Sequence, residues 1–263
     1  MMDMNLSNKT VLITGAASGI GASVVEKMLN FGCDVVGADI NPVPFEEIKK
    51  NKNFLPLEAD LAEPNAAQYI VDETIRHFGK IDILINNAAV IKVRTGFLSV
   101  RDDDWLQTFN LNFLGYVRTA RAVLPHMLAR KSGVIIHTAS EASVMPNPLL
   151  PDYSVFKSAV VSLSKALSRE FTSLGVRSNV VSPGFIRTAV YDAPGGILDS
   201  LAKKYETDRE SALEQYLHQI GMPAGRLGTP DEVADLIVYL ASDKAAFMSG
   251  SNILMEGGIV PTV

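Results

Sequence analysis

The stretch Thr10–Gly21, TVLITGAASGIG, places a short apolar run directly before a turn with glycines at 15, 19 and 21. A helical pattern then runs from Gly19 to Phe31. An apolar strand that ends in a glycine-rich turn and opens a helix is the start of a βαβ unit. The glycines allow a tight turn, let the backbone approach a pyrophosphate, and let the helix pack close on the strand. The helix start supplies free N–H groups and the positive end of a dipole, both suited to phosphate. Gly15, Ser18, Gly19, Ile20 and Gly21 are therefore candidate dinucleotide contacts.

Outward from that turn the same rhythm repeats. Strand-like runs are DVVGAD (Asp34–Asp39), FLPLEAD (Phe54–Asp60), IDILINNAA (Ile81–Ala89), GVIIHTAS (Gly133–Ser140), VRSNVVSPG (Val176–Gly184) and NILMEGG (Asn252–Gly258). Helical patterns lie between them, at about Ala66–Phe78, Asp102–Arg130, Tyr153–Ser173 and Asp231–Ser242. Runs apolar on both faces, alternating with helices, imply a parallel sheet covered on both sides. Right-handed crossovers then predict an α/β fold: a Rossmann-type doubly wound sheet of about seven strands, as a single domain over residues 1–263. Residues 189–222 break the rhythm, contain Pro194–Gly195–Gly196, and read as two short amphipathic helices forming a lid.

Composition narrows the function classes. The chain has 263 residues, 47% hydrophobic and 20% charged, as in ordinary globular proteins. A net charge of −5 without basic clusters gives nucleic-acid binding little footing. No run reaches the length of a membrane span, and the start is not that of a signal peptide, so a cytoplasmic location is expected. The one cysteine, Cys33, excludes an internal disulfide and reads as a small packed residue. The four histidines show no metal spacing, so no metal is expected, and His137 on a central strand reads as a hydrogen-bonded core residue. The DDD run at 102–104 suits a helix start. Trp105 reads as core or as a subunit contact.

Two further features carry chemistry. Asp39 ends the second strand, 18 residues beyond Gly21, near the offset at which a carboxylate meets the adenosine ribose hydroxyls. A carboxylate there repels a 2′-phosphate, and neither INPVP (Ile40–Pro44) nor the glycine turn supplies a cation to offset it. The expected cofactor is therefore NAD (NAD+/NADH), although a solvated aspartate at a strand end is also compatible with that position. YSVFK sets Tyr153 and Lys157 four apart, on one helix face. A neighbouring ammonium favours phenolate and lowers the phenol pKa.

Taken together, TGAASGIG, NNAA (Asn86–Ala89), Ser140, YSVFK and PGFIRT (Pro183–Thr188) resemble the short-chain dehydrogenase/reductase family over essentially the whole chain. One departure is Ala89, where the family usually has glycine. The resemblance implies a catalytic set of Asn112, Ser140, Tyr153 and Lys157. Tyr153 is then the general acid/base, with Lys157 its partner and a ligand of the nicotinamide ribose. Ser140, 13 residues before Tyr153, holds the substrate oxygen; Ser143 and Ser154 compete by composition but lack that spacing. Asn112 holds a proton-relay water, with Asn110 the competing asparagine. The resemblance also implies cofactor contacts from Asp60, Leu61, Asn87, Ala88, Pro183, Gly184, Ile186 and Thr188. Asn86 is expected to support the adenosine-side ribose and the central strand.

The expected function is NAD-dependent interconversion of a secondary alcohol and a ketone. Competing readings are an NADPH-using 3-oxoacyl-thioester or polyketide ketoreductase, and a non-catalytic dinucleotide-binding protein. Val144–Leu150, Lys92–Phe97 and the lid form the expected substrate walls, largely apolar, favouring a hydrophobic or neutral small molecule. A homotetramer is implied by the resemblance and by apolar positions to spare on two long helices.

Overall fold

A computed structural model of the chain describes residues 4–41 and 48–261. Its strands are β1 (Thr10–Thr14), β2 (Asp34–Asp39), β3 (Phe54–Glu58), β4 (Ile83–Asn86), β5 (Gly133–Thr138), β6 (Val176–Pro183) and β7 (Asn252–Met255). They form one sheet in the order β3-β2-β1-β4-β5-β6-β7, with each neighbouring pair parallel. The helices are α1 (Gly19–Asn30), α2 (Ala66–Phe78), α3 (Asp102–Phe109), α4 (Gly115–Ala129), α5 (Pro151–Phe171), α6 (Ala189–Asp192), α7 (Ile197–Tyr205), α8 (Arg209–Gln219) and α9 (Pro230–Ala241). This is the doubly wound Rossmann-type architecture the sequence predicts.

The period of two along each strand divides the core. Val11, Ile13, Val35, Ile83, Ile85, Ile136 and Val181 face α1 and α9. Leu12, Val36, Leu57, Leu84 and Ile135 face α2 and α4. Each such side chain contributes about 1.5–3 kcal/mol on burial, so register is firmly set: a slip of one residue would exchange both faces. The winding direction reverses between β1 and β4, which opens a crevice at the carboxyl ends of those strands.

The details differ in places from the sequence reading. β3 stops at Glu58, because Asp60 turns the chain by accepting the Ala62 N–H on its own carboxylate at 2.9 Å. The predicted helix over 102–130 is two helices joined by a π-helical turn at Asn110–Leu114, in which Gly115 N–H reaches back five residues to the Asn110 carbonyl. α5 begins two residues early, with Pro151 at its first position, where a missing N–H is harmless. The 189–222 excursion holds three short helices, α6, α7 and α8, rather than two. They share their own apolar cluster of Tyr191, Leu198, Leu201, Leu213 and Leu217.

Cys33 is buried, and burial pushes its thiol up to about 12, so the thiol stays protonated. α3 opens at Asp102, and the Asp104 carboxylate accepts the Arg101 N–H. Trp105 is half-buried, edge-on to Phe97 and Phe156. No helix among the described residues is long and apolar enough to cross a membrane, and none of their acidic, histidine or cysteine side chains form a group that could hold a metal ion.

Candidate active site

The turn after β1 is packed so tightly that only glycine fits. A Cβ on Gly21 would lie 2.0 Å from the Gly15 carbonyl oxygen, and one on Gly15, at φ +64°, would lie 2.7 Å from Ala88 Cα. Asn87 and Ala88 close the turn from β4. Their N–H groups donate to Thr14 Oγ1 at 2.9 and 3.1 Å, and Asn87 Nδ2 donates to the Gly15 carbonyl at 3.0 Å. Ser18 precedes α1 without a side-chain cap, and the first turn of α1 carries no acidic residue. The positive end of α1 is thus left uncapped by the chain itself, as a phosphate site requires.

Asp39 joins the same turn. One carboxylate oxygen accepts the Ala17 N–H at 3.0 Å and the other accepts the Asn41 N–H at 3.0 Å. The carboxylate is fixed at the rim of the glycine turn and is not a loose, solvated group. Of Ile40–Pro44, the described residues Ile40 and Asn41 bring no cation; Pro42, Val43 and Pro44 lie outside the described residues. Leu61 points into the core at 4% exposure, which leaves its backbone and Asp60 as the groups available to a ligand. Asn86 departs from its expected role at the ribose. It is fully buried, accepting from Thr119 Oγ1 at 2.6 Å and lying 3.3 Å from both the Tyr116 carbonyl and His137 Nδ1, so its side chain ties β4 to α4 and β5.

From β6, Pro183 and Gly184 lead into Phe185, which adopts φ +50°. That left-handed conformation costs a non-glycine residue about 1–2 kcal/mol. It is held by the Gly228 N–H bonding to the Phe185 carbonyl (3.1 Å) and the Arg187 N–H bonding to the Gly228 carbonyl (2.9 Å). The kink brings Thr188 over the glycine turn, with its Cγ2 3.2 Å from where a Cβ on Gly19 would stand. Ile186 is nearly buried, at 9% exposure. The two segments expected to hold the ends of a dinucleotide therefore meet across one crevice.

Beyond the carboxyl end of β5, Ser140 and Tyr153 converge. The Ser140 hydroxyl lies near enough to the Tyr153 phenol to favour its ionised form; it accepts the Ala142 N–H at 3.2 Å and donates to Glu141 Oε2 at 2.5 Å. Of the rival serines, Ser154 spends its hydroxyl on the Leu150 carbonyl (2.7 Å), and the Ser143 hydroxyl is buried without a partner among the described residues. Burial, with Glu141 nearby, pushes the Tyr153 phenol well above its ordinary value, while the neighbouring Ser140 hydroxyl opposes the rise. This differs from the expectation that Lys157 depresses the phenol: desolvation is the largest effect on it.

Lys157 does share the Tyr153 face of α5, with Nζ 5.5 Å from the ring centroid. It is 1% exposed, and burial pushes its ammonium down to about 7. Its hydrogen bonds go to the Thr138 carbonyl at 2.7 Å and the Tyr116 hydroxyl at 3.4 Å. Tyr116, fully buried, was not singled out from the sequence, although it lies four residues after Asn112. Its ring stacks on His137 at 5.8 Å, and burial pushes His137 down to about 3, so that imidazole is neutral. Asn112 sits in the π-helical turn, fully buried, whereas Asn110 is half-buried. The Asn112 side chain is committed to both backbone groups of Val90.

Comparison with known proteins identifies the family. A family described as enoyl-(acyl carrier protein) reductase matches residues 15–260. A 3-oxoacyl-[acyl-carrier-protein] reductase of Thermotoga maritima is 30% identical, the match covering 98% of this chain and all of the relative. The oxidoreductase YvrD of Bacillus subtilis is 35% identical over 98% of this chain and 99% of its own. Among solved structures, L-sorbose reductase from Gluconobacter frateurii, in complex with NADPH and L-sorbose, superposes with a TM-score of 0.93 at 31% identity, covering both chains completely. The chain belongs to the short-chain dehydrogenase/reductase family of oxidoreductases.

Proposed function

We propose that the protein interconverts a secondary alcohol and a ketone with NAD(H), using Tyr153 as general acid/base and Ser140 to orient the reacting oxygen. The observation that carries this reading is the convergence of the Ser140 hydroxyl and the Tyr153 phenol beyond the end of β5. Two O–H groups that meet at one point can together hold one carbonyl or alcohol oxygen. The uncapped start of α1, the glycine turn and Thr188 fit a dinucleotide, with Gly15, Ser18, Gly19, Ile20, Gly21, Asn87, Ala88 and Ile186 as its contacts. When bound, the nicotinamide supplies or accepts the hydride.

The chain's own groups manage the proton. A buried phenol with a raised pKa stays protonated and is ready to donate to a carbonyl oxygen in the reductive direction. Lys157, pushed down to about 7, changes charge near neutrality. Its ammonium form stabilises the phenolate left behind, and the Tyr116 hydroxyl offers its proton a first step away from the site. Asn112 fixes the Val90 segment that walls the site.

NAD preference rests on Asp39, whose two backbone bonds hold a negative charge at the glycine turn. A second reading, NADPH-dependent reduction of a 3-oxoacyl thioester, draws on the Thermotoga relative. Steady-state rates with NADH and NADPH at matched concentrations separate the two, and a preference for NADPH would overturn the Asp39 argument. Replacing Asp39 by Ser and Ile40 by Arg should move preference toward NADP, by removing repulsion and adding a guanidinium. Tyr153→Phe should lower kcat by about 10²–10⁴-fold with NADH binding retained; more than a tenth of the activity remaining would sink its assignment.

A further inference from the structure

The half-buried side chain of Glu141 has no part in the proton chemistry above, yet it stands directly beside it. Its Oε2 accepts the Ser140 hydroxyl at 2.5 Å. Glu141 and Glu256 flank Gly184, where a Cβ would meet their side chains at 3.2 and 2.8 Å. Glu256 is spent on the Val260 N–H at 3.0 Å, whereas Glu141 holds only the mobile hydroxyl of its neighbour and the local turn. Across from it, the Tyr191 and Tyr216 phenols of the 189–222 excursion lie within electrostatic reach of the Glu141 carboxyl. Neither phenol hydroxyl makes a side-chain hydrogen bond to another described residue. A wall that reads as apolar in the sequence thus presents an acid and two unspent hydroxyls.

We propose that Glu141 is a specificity-determining residue that accepts a hydrogen bond from a second substrate hydroxyl, next to the reacting carbon, so that the preferred substrates are vicinal diols and the α-hydroxy ketones they yield. This rests on the reading of Ser140 and Tyr153 as the groups that hold the reacting oxygen. Ser140 Oγ and Glu141 Oε2 are 2.5 Å apart, so two substrate oxygens that engage them together belong on adjacent carbons. The exchange also frees the catalytic serine. While Ser140 donates to Glu141, its hydrogen is unavailable to a substrate carbonyl; a substrate hydroxyl that takes its place at Glu141 releases it. A ketone without that hydroxyl must draw Ser140 away and leave the acid with only the backbone of its own turn as donor, which is unfavourable for a half-buried group. Burial and the Glu256 charge raise the Glu141 carboxyl, and in either protonation state it retains a lone pair for the hydroxyl. The second hydroxyl keeps all its atoms: hydride and proton are exchanged only at the reacting carbon and its oxygen.

The test uses ketones paired to differ by one α-hydroxyl, such as 2-butanone with 3-hydroxy-2-butanone, and cyclohexanone with 2-hydroxycyclohexanone. Reduction is followed as kcat/KM for the wild type, Glu141→Gln and Glu141→Leu, with NADH binding as the check on folding. The wild type should favour each hydroxy ketone by about tenfold or more. That ratio should collapse in Glu141→Leu and survive in part in Glu141→Gln, whose amide oxygen still accepts. Turnover with no hydroxyl preference in the wild type overturns the inference alone. So does an equal fall on both members of a pair in Glu141→Leu, which would make Glu141 a support for Ser140 only. Absence of turnover for every ketone with either NADH or NADPH overturns the oxidoreductase assignment of the site itself, and this inference with it.

Discussion

Asn112 grips Val90 with both ends of its side-chain amide: Oδ1 accepts the Val90 N–H at 2.9 Å and Nδ2 donates to the Val90 carbonyl at 2.8 Å. The pairing ties the π-helical turn to the segment after β4, and so joins the two sides of the crevice. Asn112→Leu keeps the volume but leaves two half-buried backbone groups without partners, at roughly 1–3 kcal/mol. Urea unfolding should show that loss, and turnover should fall with it. An Asn112→Leu protein as stable as the wild type would mean that this clamp is incidental.

Lys157 makes stability depend on pH in a defined window. Its ammonium is pushed from the ordinary lysine value of 10.5 down to about 7 by burial. Between those values the unfolded chain binds the extra proton, so unfolding free energy rises with pH. Below about 7 both states are protonated and the folded state carries the full penalty. Lys157→Met removes the titration. The variant should therefore gain stability relative to the wild type most at pH 6 and lose that advantage by pH 9.5, at up to roughly 1.4 kcal/mol per pH unit. Denaturant melts of both proteins at pH 6, 8 and 9.5 measure it; a constant difference would place the lysine pKa outside this window.

Arg94 bridges two carboxylates. It donates to Asp104 at 2.9 Å and to Asp152 at 2.6 Å, and Thr108 also donates to Asp152 at 2.8 Å. Asp152 is 2% exposed and immediately precedes Tyr153, so the bridge seats the start of α5. Arg94→Met strands a buried carboxylate and should cost about 3–5 kcal/mol. Adding Asp152→Asn should recover part of the loss, and so should lowering the pH, because the stranded carboxyl would then protonate. Strict additivity of the two substitutions would exclude the coupling.

Leu98, Leu106 and Val155 are exposed at 98%, 57% and 51%, on or beside α3 and α5. Apolar surface on those helices favours self-association, and a tetramer is the expected assembly. Sedimentation at micromolar concentration should give a species near four times 28.4 kDa. Leu106→Glu with Val155→Glu should dissociate it, whereas a wild-type monomer would contradict the prediction.

The βα junction, the strand alternation and the Tyr153–Lys157 face were legible because they depend on local spacing alone. The properties that escaped the sequence depend on partners far along the chain. Asn112 reaches Val90, 22 residues away, and Asn86 turns inward to Thr119, 33 residues away. Glu141 reads as an ordinary polar residue until β6 and the 189–222 helices close around it. Phe185 gives no local sign of its left-handed backbone, since glycine or asparagine would be the residues expected there. Burial also reversed the expected sign at Tyr153, and no spacing rule reports the desolvation of a phenol.

The 189–222 helices are suspended on exposed ion pairs. Arg187 leaves the Pro183–Thr188 segment and bonds Asp192 of α6 at 2.9 Å and Glu210 of α8 at 2.6 Å, while Arg209 bonds Asp199 of α7 at 2.7 Å. These pairs are more than a third exposed, so each contributes only about 0.2–1 kcal/mol and weakens in salt. Inside, Leu198, Leu201, Leu213 and Leu217 keep the three helices together. A unit held together by apolar packing but tethered by screened charges is suited to swing as a body over the Ser140–Tyr153 site and exclude water when closed. Amides in 190–220 should exchange faster than the sheet in the free protein, and faster still in Arg187→Ala or in high salt. They should become protected when NAD and an alcohol substrate are added together. Equal protection of this segment with and without ligands would make it fixed structure, and the lid assignment would fail.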